Sequence, residues 1–235
     1  MTSILAHRGA AQSAPENSLD AFEAAARLGA DGVELDVRRT ADGCLVLHHD
    51  IEIGGLGPIS AIRRGDLPSH VPTLEQALEL CTSLDLEVNV EVKSESTGSS
   101  HDPEQRCARE SAELCAQVPA QYRIVVSSFS VPALAAVRES APDLVLAWLV
   151  GVAAYATAGE RPWSEGVLGT LGLEGVHPSD AMVDAHYLRR AHDDGLAVRV
   201  WTVDDPARIE QLSELGVEAV ITNDVAVALR AVSRA

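Results

Sequence analysis

Short β-branched runs alternate with Ala-, Leu- and Glu-rich stretches of helical pattern along the whole chain, and this alternation restricts the fold more than any other feature. Parallel strands cannot be joined by tight turns; each pair needs a long crossover, usually a helix. The runs at 4–7, 32–37, 87–93, 123–127, 144–148, 175–177, 197–202 and 219–222 read as eight strands. Stretches at 18–28, 73–80, 104–115, 132–139, 185–193 and 206–214 read as helices between them. Gly29, Gly195 and Gly216 each follow a helix, where a left-handed C-terminal residue belongs, and the Asn17-Ser18 pair offers an N-cap. One further strand, over 44–48, follows the Asp42-Gly43 turn signal and is expected to fold back beside the second strand. Eight such units in 235 residues predict an α/β chain forming one (β/α)8 TIM-barrel domain over 1–235, with a small hairpin insertion after the second strand. A doubly wound open sheet is the alternative, but no GxGxxG follows the first strand.

Composition narrows the function. At 46% hydrophobic residues and mean hydropathy +0.06 the chain can bury a large core, which argues against disorder. The 35 acidic residues against 18 basic ones give a net charge of −17, unsuited to a nucleic-acid backbone or an anionic membrane. Cys44, Cys81, Cys107 and Cys115 form no CxxC pair and read as small buried hydrophobes in a reducing compartment. The first eight residues lack a basic segment followed by an apolar one, and the longest apolar stretch, 144–158, is shorter than the roughly 20 residues of a membrane span. A soluble, cytoplasmic protein is the expectation. Of the 18 basic residues, Lys93 alone is a lysine.

Two strands break the rule that parallel strands are apolar throughout. In Gly32-Val33-Glu34-Leu35-Asp36-Val37 the two acids share one face, and in Glu87-Val88-Asn89-Val90-Glu91-Val92-Lys93 four polar residues oppose three valines. The valine face must meet the helices, so the polar face points into the barrel, its last members near the C-terminal mouth. Unpartnered carboxylates there are very costly. Glu34, Asp36 and Glu91 match a hard, oxygen-preferring cation, Mg2+ or Ca2+; the alternative is a buried ion-pair network with Lys93 and Arg8. His7 ends the first strand and His49 follows the hairpin strand, both at the predicted mouth, where barrel active sites sit. A histidine pair supplies an acid and a base near neutral pH, Arg8 is a fork for an anion, and Lys93 is a compact positive charge. Carboxylates, cations and histidines at one rim describe phosphoryl-ester cleavage.

These residues fall in motifs. His7-Arg8-Gly9, Pro15-Glu16-Asn17-Ser18, Gly29-Ala30-Asp31-Gly32-Val33-Glu34-Leu35-Asp36-Val37, Thr40-Ala41-Asp42-Gly43 and His49-Asp50 closely resemble the glycerophosphodiester phosphodiesterases. Pro72-Thr73-Leu74-Glu75, Glu91-Val92-Lys93, Ser127-Ser128-Phe129, Val200-Trp201-Thr202-Val203 and Ile221-Thr222-Asn223 follow in that family's order, so the resemblance spans nearly the whole chain. It implies a (β/α)8 barrel that cleaves glycerophosphodiesters to sn-glycerol 3-phosphate and an alcohol. It further implies one divalent cation on Glu34, Asp36 and Glu91, His7 and His49 as acid and base, Arg8 and Lys93 on the phosphate, and Trp201 lining the substrate pocket. The chain departs from the family over 51–71, a short Gly-rich stretch where a larger cap often sits. The Ala/Gly-rich 150–159 loop is expected at the rim. A barrel phosphodiesterase acting on lysophospholipids or phosphoinositides, and a metal-dependent enolate-forming barrel enzyme, are the competing readings. In each the partner is a small molecule rather than nucleic acid or a membrane; oligomeric state is not legible.

Overall fold

A computed structural model describes residues 2–98, 100–119, 121–152, 163 and 171–233. In chain order its elements are β1 (Ser3–His7), α1 (Leu19–Leu28), β2 (Gly32–Arg39), β3 (Leu45–Leu47), the short strands β4 (Glu52–Ile53) and β5 (Gly57–Pro58), α2 (Leu74–Ser83) and β6 (Glu87–Val92). There follow α3 (Arg106–Cys115), β7 (Ile124–Ser128), α4 (Val131–Ser140), β8 (Val145–Val150), β9 (Gly175–Pro178), α5 (Ala185–Asp193), β10 (Ala197–Val200), α6 (Pro206–Leu215), β11 (Ala219–Thr222) and α7 (Val225–Val232). The strands β1, β2, β6, β7, β8, β9, β10 and β11 pair in parallel, each with the next, and β11 returns to β1. The ring is closed, as the alternating pattern predicts. β3 lies outside it, antiparallel to β2 with Val37 opposite Leu47, which is the fold-back expected from Asp42-Gly43.

The period-2 reading holds on both sides of the wall. Outward residues of the strands, among them Val33, Leu35, Val37, Val88, Val90 and Val92, join the inner faces of the helices, including Phe22, Leu74, Leu134, Leu188 and Leu212, in one buried core. Inside the ring lies a small apolar group of Leu5, Ala219 and Ile221, with Trp201 packed against it. Beside Val125, Ala147 and Leu149 the interior carries a set of polar side chains: Glu34, Asp36, Glu87, Asn89, Glu91, Ser127 and His177 are all buried. The acids are segregated by height. Glu87, at the strand beginnings, is held between Arg123, whose Nε is 3.1 Å from Oε2, and Arg199, in close contact with Oε1. Asp36 and Glu91, four positions further along their strands, face each other in register.

Helix ends follow local chemistry. Ser18 accepts from Ala21 N, Thr73 and Gln76 form a reciprocal capping box, and Gly29 and Gly216 close α1 and α6 in the left-handed region. The 51–71 insertion is compact: β4 and β5 form a hairpin, and Ile53, Ile59, Ile62, Leu67 and Val71 pack on Val46 of β3 as a separate apolar cluster. The expected rim loop at 150–159 lies almost wholly outside the described residues. All four cysteines are free thiols, and burial alone pushes the Cys81 and Cys115 thiols up to about 12. Among the described residues no helix is long and apolar enough to cross a membrane.

β2 and β6 can approach closely because position 32 carries no side chain. A Cβ built there would stand 2.5 Å from the carbonyl oxygen of Glu87. Gly32→Ala should therefore destabilise the barrel by about 1–3 kcal/mol, seen as a lower urea midpoint with an unchanged slope. An unchanged midpoint would show that the wall yields freely at this point.

Candidate active site

At the strand C-termini the polar interior opens into a cavity of about 200 Å3. His7, Arg8, Glu34, His49, Glu91, Lys93 and Trp201 line it, joined by Asn89 and Phe129. Every residue singled out from sequence is on this wall except Asp36, which stands directly behind it, 1% exposed. One ligand oxygen from each of Glu34, Asp36 and Glu91 falls within 4.8 Å of the others.

Each acid is oriented by the backbone around it. Arg8 and Gly9 turn the chain sharply after β1, with φ of 56° and 78°. The turn aims the Arg8 amide at Glu34, donating to Oε2 at 3.0 Å. Glu34 Oε1 is buried with no hydrogen-bond partner. Asp36 is gripped from the first βα loop: Asn17 Nδ2 donates to its Oδ2 at 2.8 Å, and its own amide donates to Asn17 Oδ1 at 3.0 Å. Lys93 Nζ lies 2.8 Å from Asp36 Oδ1 and donates to Glu91. Arg8 is divided between two acids, with Nη1 3.1 Å from Glu16 and Nε 3.3 Å from Asp36.

Charge is unevenly shared. Burial, reinforced by the neighbouring charges of Asp36 and Glu91, holds the Glu34 carboxyl well above the ordinary glutamate range. Burial also raises Glu91, against the opposing pull of Lys93. Burial acts in the same sense on Asp36, but Lys93, Asn17 and Arg8 together outweigh it and hold this carboxyl low. Burial pulls the Lys93 ammonium down, yet Glu91 and Asp36 more than reverse that. A hard cation fits such a donor set: three carboxylates converge, and one buried oxygen has no donor of its own.

The histidines stand on opposite supports. His7, lowered by burial, places Nδ1 2.8 Å from Asn223 Oδ1 and Nε2 3.9 Å from Glu34. His49 places Nδ1 2.8 Å from Asp50 Oδ1, and Arg38 holds its carbonyl oxygen through Nε at 3.0 Å and Nη2 at 2.6 Å. His48 bonds instead to the Glu52 carbonyl, away from the cavity. His177 is buried in the barrel wall, and burial together with Arg199 pushes it well below the usual histidine range. His70, His101, His186 and His192 are exposed. Trp201 donates from Nε1 to the His177 carbonyl at 2.7 Å and meets Phe129 edge-on, with ring centroids 5.5 Å apart. From sequence Asn17 has only a helix-cap role, and Phe129, Asp204 and Asn223 have none, although Asn17, Phe129 and Asn223 lie inside the motifs; their neighbours in space give them a place in the site.

Fold and site together define a (β/α)8 barrel with a carboxylate, cation and histidine centre at its C-terminal mouth. The profile of the glycerophosphoryl diester phosphodiesterase family matches residues 7–60 and 57–227. The chain belongs to that family. It is 30% identical over 243 residues to a glycerophosphodiester phosphodiesterase of Caldanaerobacter subterraneus, covering 95% of this chain and 94% of that one. It is 31% identical to the Bacillus altitudinis enzyme of the same name, covering 98% of both. A glycerophosphodiester phosphodiesterase structure from Parabacteroides distasonis superposes with a TM-score of 0.83 at 27% identity, over 99% of this chain and 97% of that one. The fold is shared too with a phosphodiesterase of Oleispira antarctica solved with its product sn-glycerol-3-phosphate, at TM-score 0.87, 23% identity and the same coverages.

Among the described residues Lys93 is the only cation that bridges two of the three acids. A guanidinium is wider and planar, so it does not present the single compact donor that Lys93 places between Asp36 and Glu91. Lys93→Arg should lower kcat/KM by about tenfold or more although it keeps the charge. Unchanged kinetics would make the lysine incidental.

Proposed function

We propose that the protein hydrolyses glycerophosphodiesters to sn-glycerol 3-phosphate and an alcohol, with one Mg2+ or Ca2+ held by Glu34, Asp36 and Glu91. The observation that carries this reading is the convergence of three buried carboxylates, two of them lining one small cavity together with two histidines and two cations, in a member of this family. When bound, the cation would neutralise phosphate oxygens and supply Lewis acidity. A volume of about 200 Å3 suits a small phosphodiester rather than a polymer. The histidine pair, with Lys93 and Arg8 beside the acids, fits phosphodiester cleavage better than enolate formation.

In the proposed reaction the substrate phosphate lies against Lys93 and Arg8, and the glycerol packs on Trp201. One histidine takes the proton of the glycerol 2-hydroxyl, whose oxygen attacks phosphorus, while the other protonates the departing alcohol oxygen. Water then opens the cyclic phosphate with the two roles exchanged. Tethering the nucleophile to the substrate makes the first step intramolecular. The whole chain is read as one barrel domain, the 51–71 insertion forming a small cap beside the mouth. The four free thiols go with a cytoplasmic setting. Phe129, 48% exposed beside Trp201, favours an apolar acyl chain on the glycerol half, as in a lysophospholipid, as a second reading.

Products should be analysed after incubation with glycerophosphocholine, glycerophosphoethanolamine and a lysophospholipid, each with Mg2+, Ca2+ or EDTA. Glycerol 3-phosphate is expected from at least one of the first two with metal and none with EDTA. His7→Ala and His49→Ala, with metal still bound, should each lose about 10²–10⁴-fold in kcat. No glycerol 3-phosphate from any glycerophosphodiester would overturn the proposal, and cleavage of the lysophospholipid alone would establish the second reading.

A further inference from the structure

His7 is supported by residues from two other strands. β11 runs beside β1, and the residue that follows it, Asn223, meets the His7 ring. β10 runs beside β11, and the loop beyond it carries Asp204 to the far side of Asn223. Asp204 Oδ1 accepts from the Asn223 amide at 2.8 Å and from Thr222 Oγ1 at 3.0 Å, and Asp204 Oδ2 accepts from Asn223 Nδ2 at 2.8 Å. Three donors on one carboxylate fix it and keep it ionised. Burial raises its pKa, but the bonds from Asn223 and Thr222 outweigh that and hold it low.

The donor and acceptor inventory then leaves one arrangement. A carboxylate accepts only, so the Asn223 amide nitrogen must face Asp204, and the amide oxygen must face His7. That oxygen also accepts only, so the His7 nitrogen 2.8 Å away must carry a hydrogen. We infer that Asn223 and Asp204 form a positioning relay that locks His7 as the Nδ1–H tautomer, leaving Nε2 as the atom through which its protons move. Nε2 is the ring nitrogen on the Glu34 side. His49 reaches the same polarity from a different partner, its Nδ1 bonded to Asp50. Both imidazoles thus trade protons at Nε2, but His7 leans on a neutral amide and His49 on a carboxylate. Free histidine prefers the opposite tautomer, with the hydrogen on Nε2, so without the relay much of the His7 population would present a donor where an acceptor is required. The relay acts through His7 and touches no substrate, and its kinetic consequence rests on the phosphodiesterase reading above; its tautomeric consequence does not.

The test is 15N–1H NMR of the imidazoles in the full-length Mg2+-loaded protein, with His7→Gln used to assign the His7 signals. A pyrrole-type Nδ1 and a pyridine-type Nε2 are expected in the wild type. Asn223→Ala, and separately Asp204→Asn in case the first variant misfolds, should shift His7 towards the Nε2–H form. In the same variants kcat should fall about 10–100-fold with KM nearly unchanged, because the group lost orients a reacting side chain rather than binding substrate. A wild-type His7 carrying its hydrogen on Nε2 would overturn the relay, as would variants whose tautomer or kcat matches the wild type. The expected tautomer pattern in a protein that cleaves no diester would leave the relay standing and overturn the functional reading instead.

Discussion

The structure depends on three carboxylates buried against one another at the mouth of a closed barrel. Closure forces alternate residues of every strand inward, and in β2 and β6 those residues are Glu34, Asp36, Asn89 and Glu91. Lys93 and a share of Arg8 offset part of the charge, and burial leaves Glu34 as the acid least able to ionise. The surrounding devices follow from holding such a group in place. The left-handed Arg8-Gly9 turn aims an amide at Glu34, and Asn17 spends its whole side chain on Asp36.

The two ends of the barrel show opposite solutions to one problem. At the floor a single acid, Glu87, meets two arginines, so its charge is covered by protein alone. At the mouth three acids converge, the lysine bridges only two of them, and Arg8 is shared with Glu16. A buried ion pair complete in itself needs no ligand; an acid cluster short of positive charge invites one. The same contrast reconciles a net charge of −17 with an anionic substrate. A cation seated among the acids would make the local field positive while the global field stays negative, which would favour a small substrate over a large polyanion.

Much of this was legible before any coordinates. Alternation of period 2 in β2 and β6 revealed which acids share a face, because strand geometry leaves side chains no other choice. The turn signal at Asp42-Gly43 placed β3 correctly, and the N-cap at Ser18 was correct as well. Asn17 was less legible: beside Ser18 it reads as part of a helix cap, and only the fold brings it to Asp36. Asn223 and Asp204 are 19 residues apart, and Asn223 meets His7 across 216 positions, through the pairing of β1, β10 and β11. Registry between parallel strands is set by packing around the whole ring and leaves no mark in any one segment. The end of β10 shows the same limit: the pattern runs to Thr202, yet the ladder stops at Val200, and Trp201 turns to bond His177 and bridge Ser179.

If the carboxylate cluster is a cation site, a ligand that binds only the folded protein must stabilise it. At a hundred times its Kd that effect is about 2.7 kcal/mol. Thermal unfolding of the wild type and of Glu34→Gln, each with and without Mg2+ or Ca2+, tests this directly. The account predicts a Tm that climbs with cation concentration in the wild type, a much smaller climb in Glu34→Gln, and a metal-free Tm for the variant at or above that of the wild type. A wild-type Tm indifferent to both cations, or a climb equal in the two proteins, would contradict it.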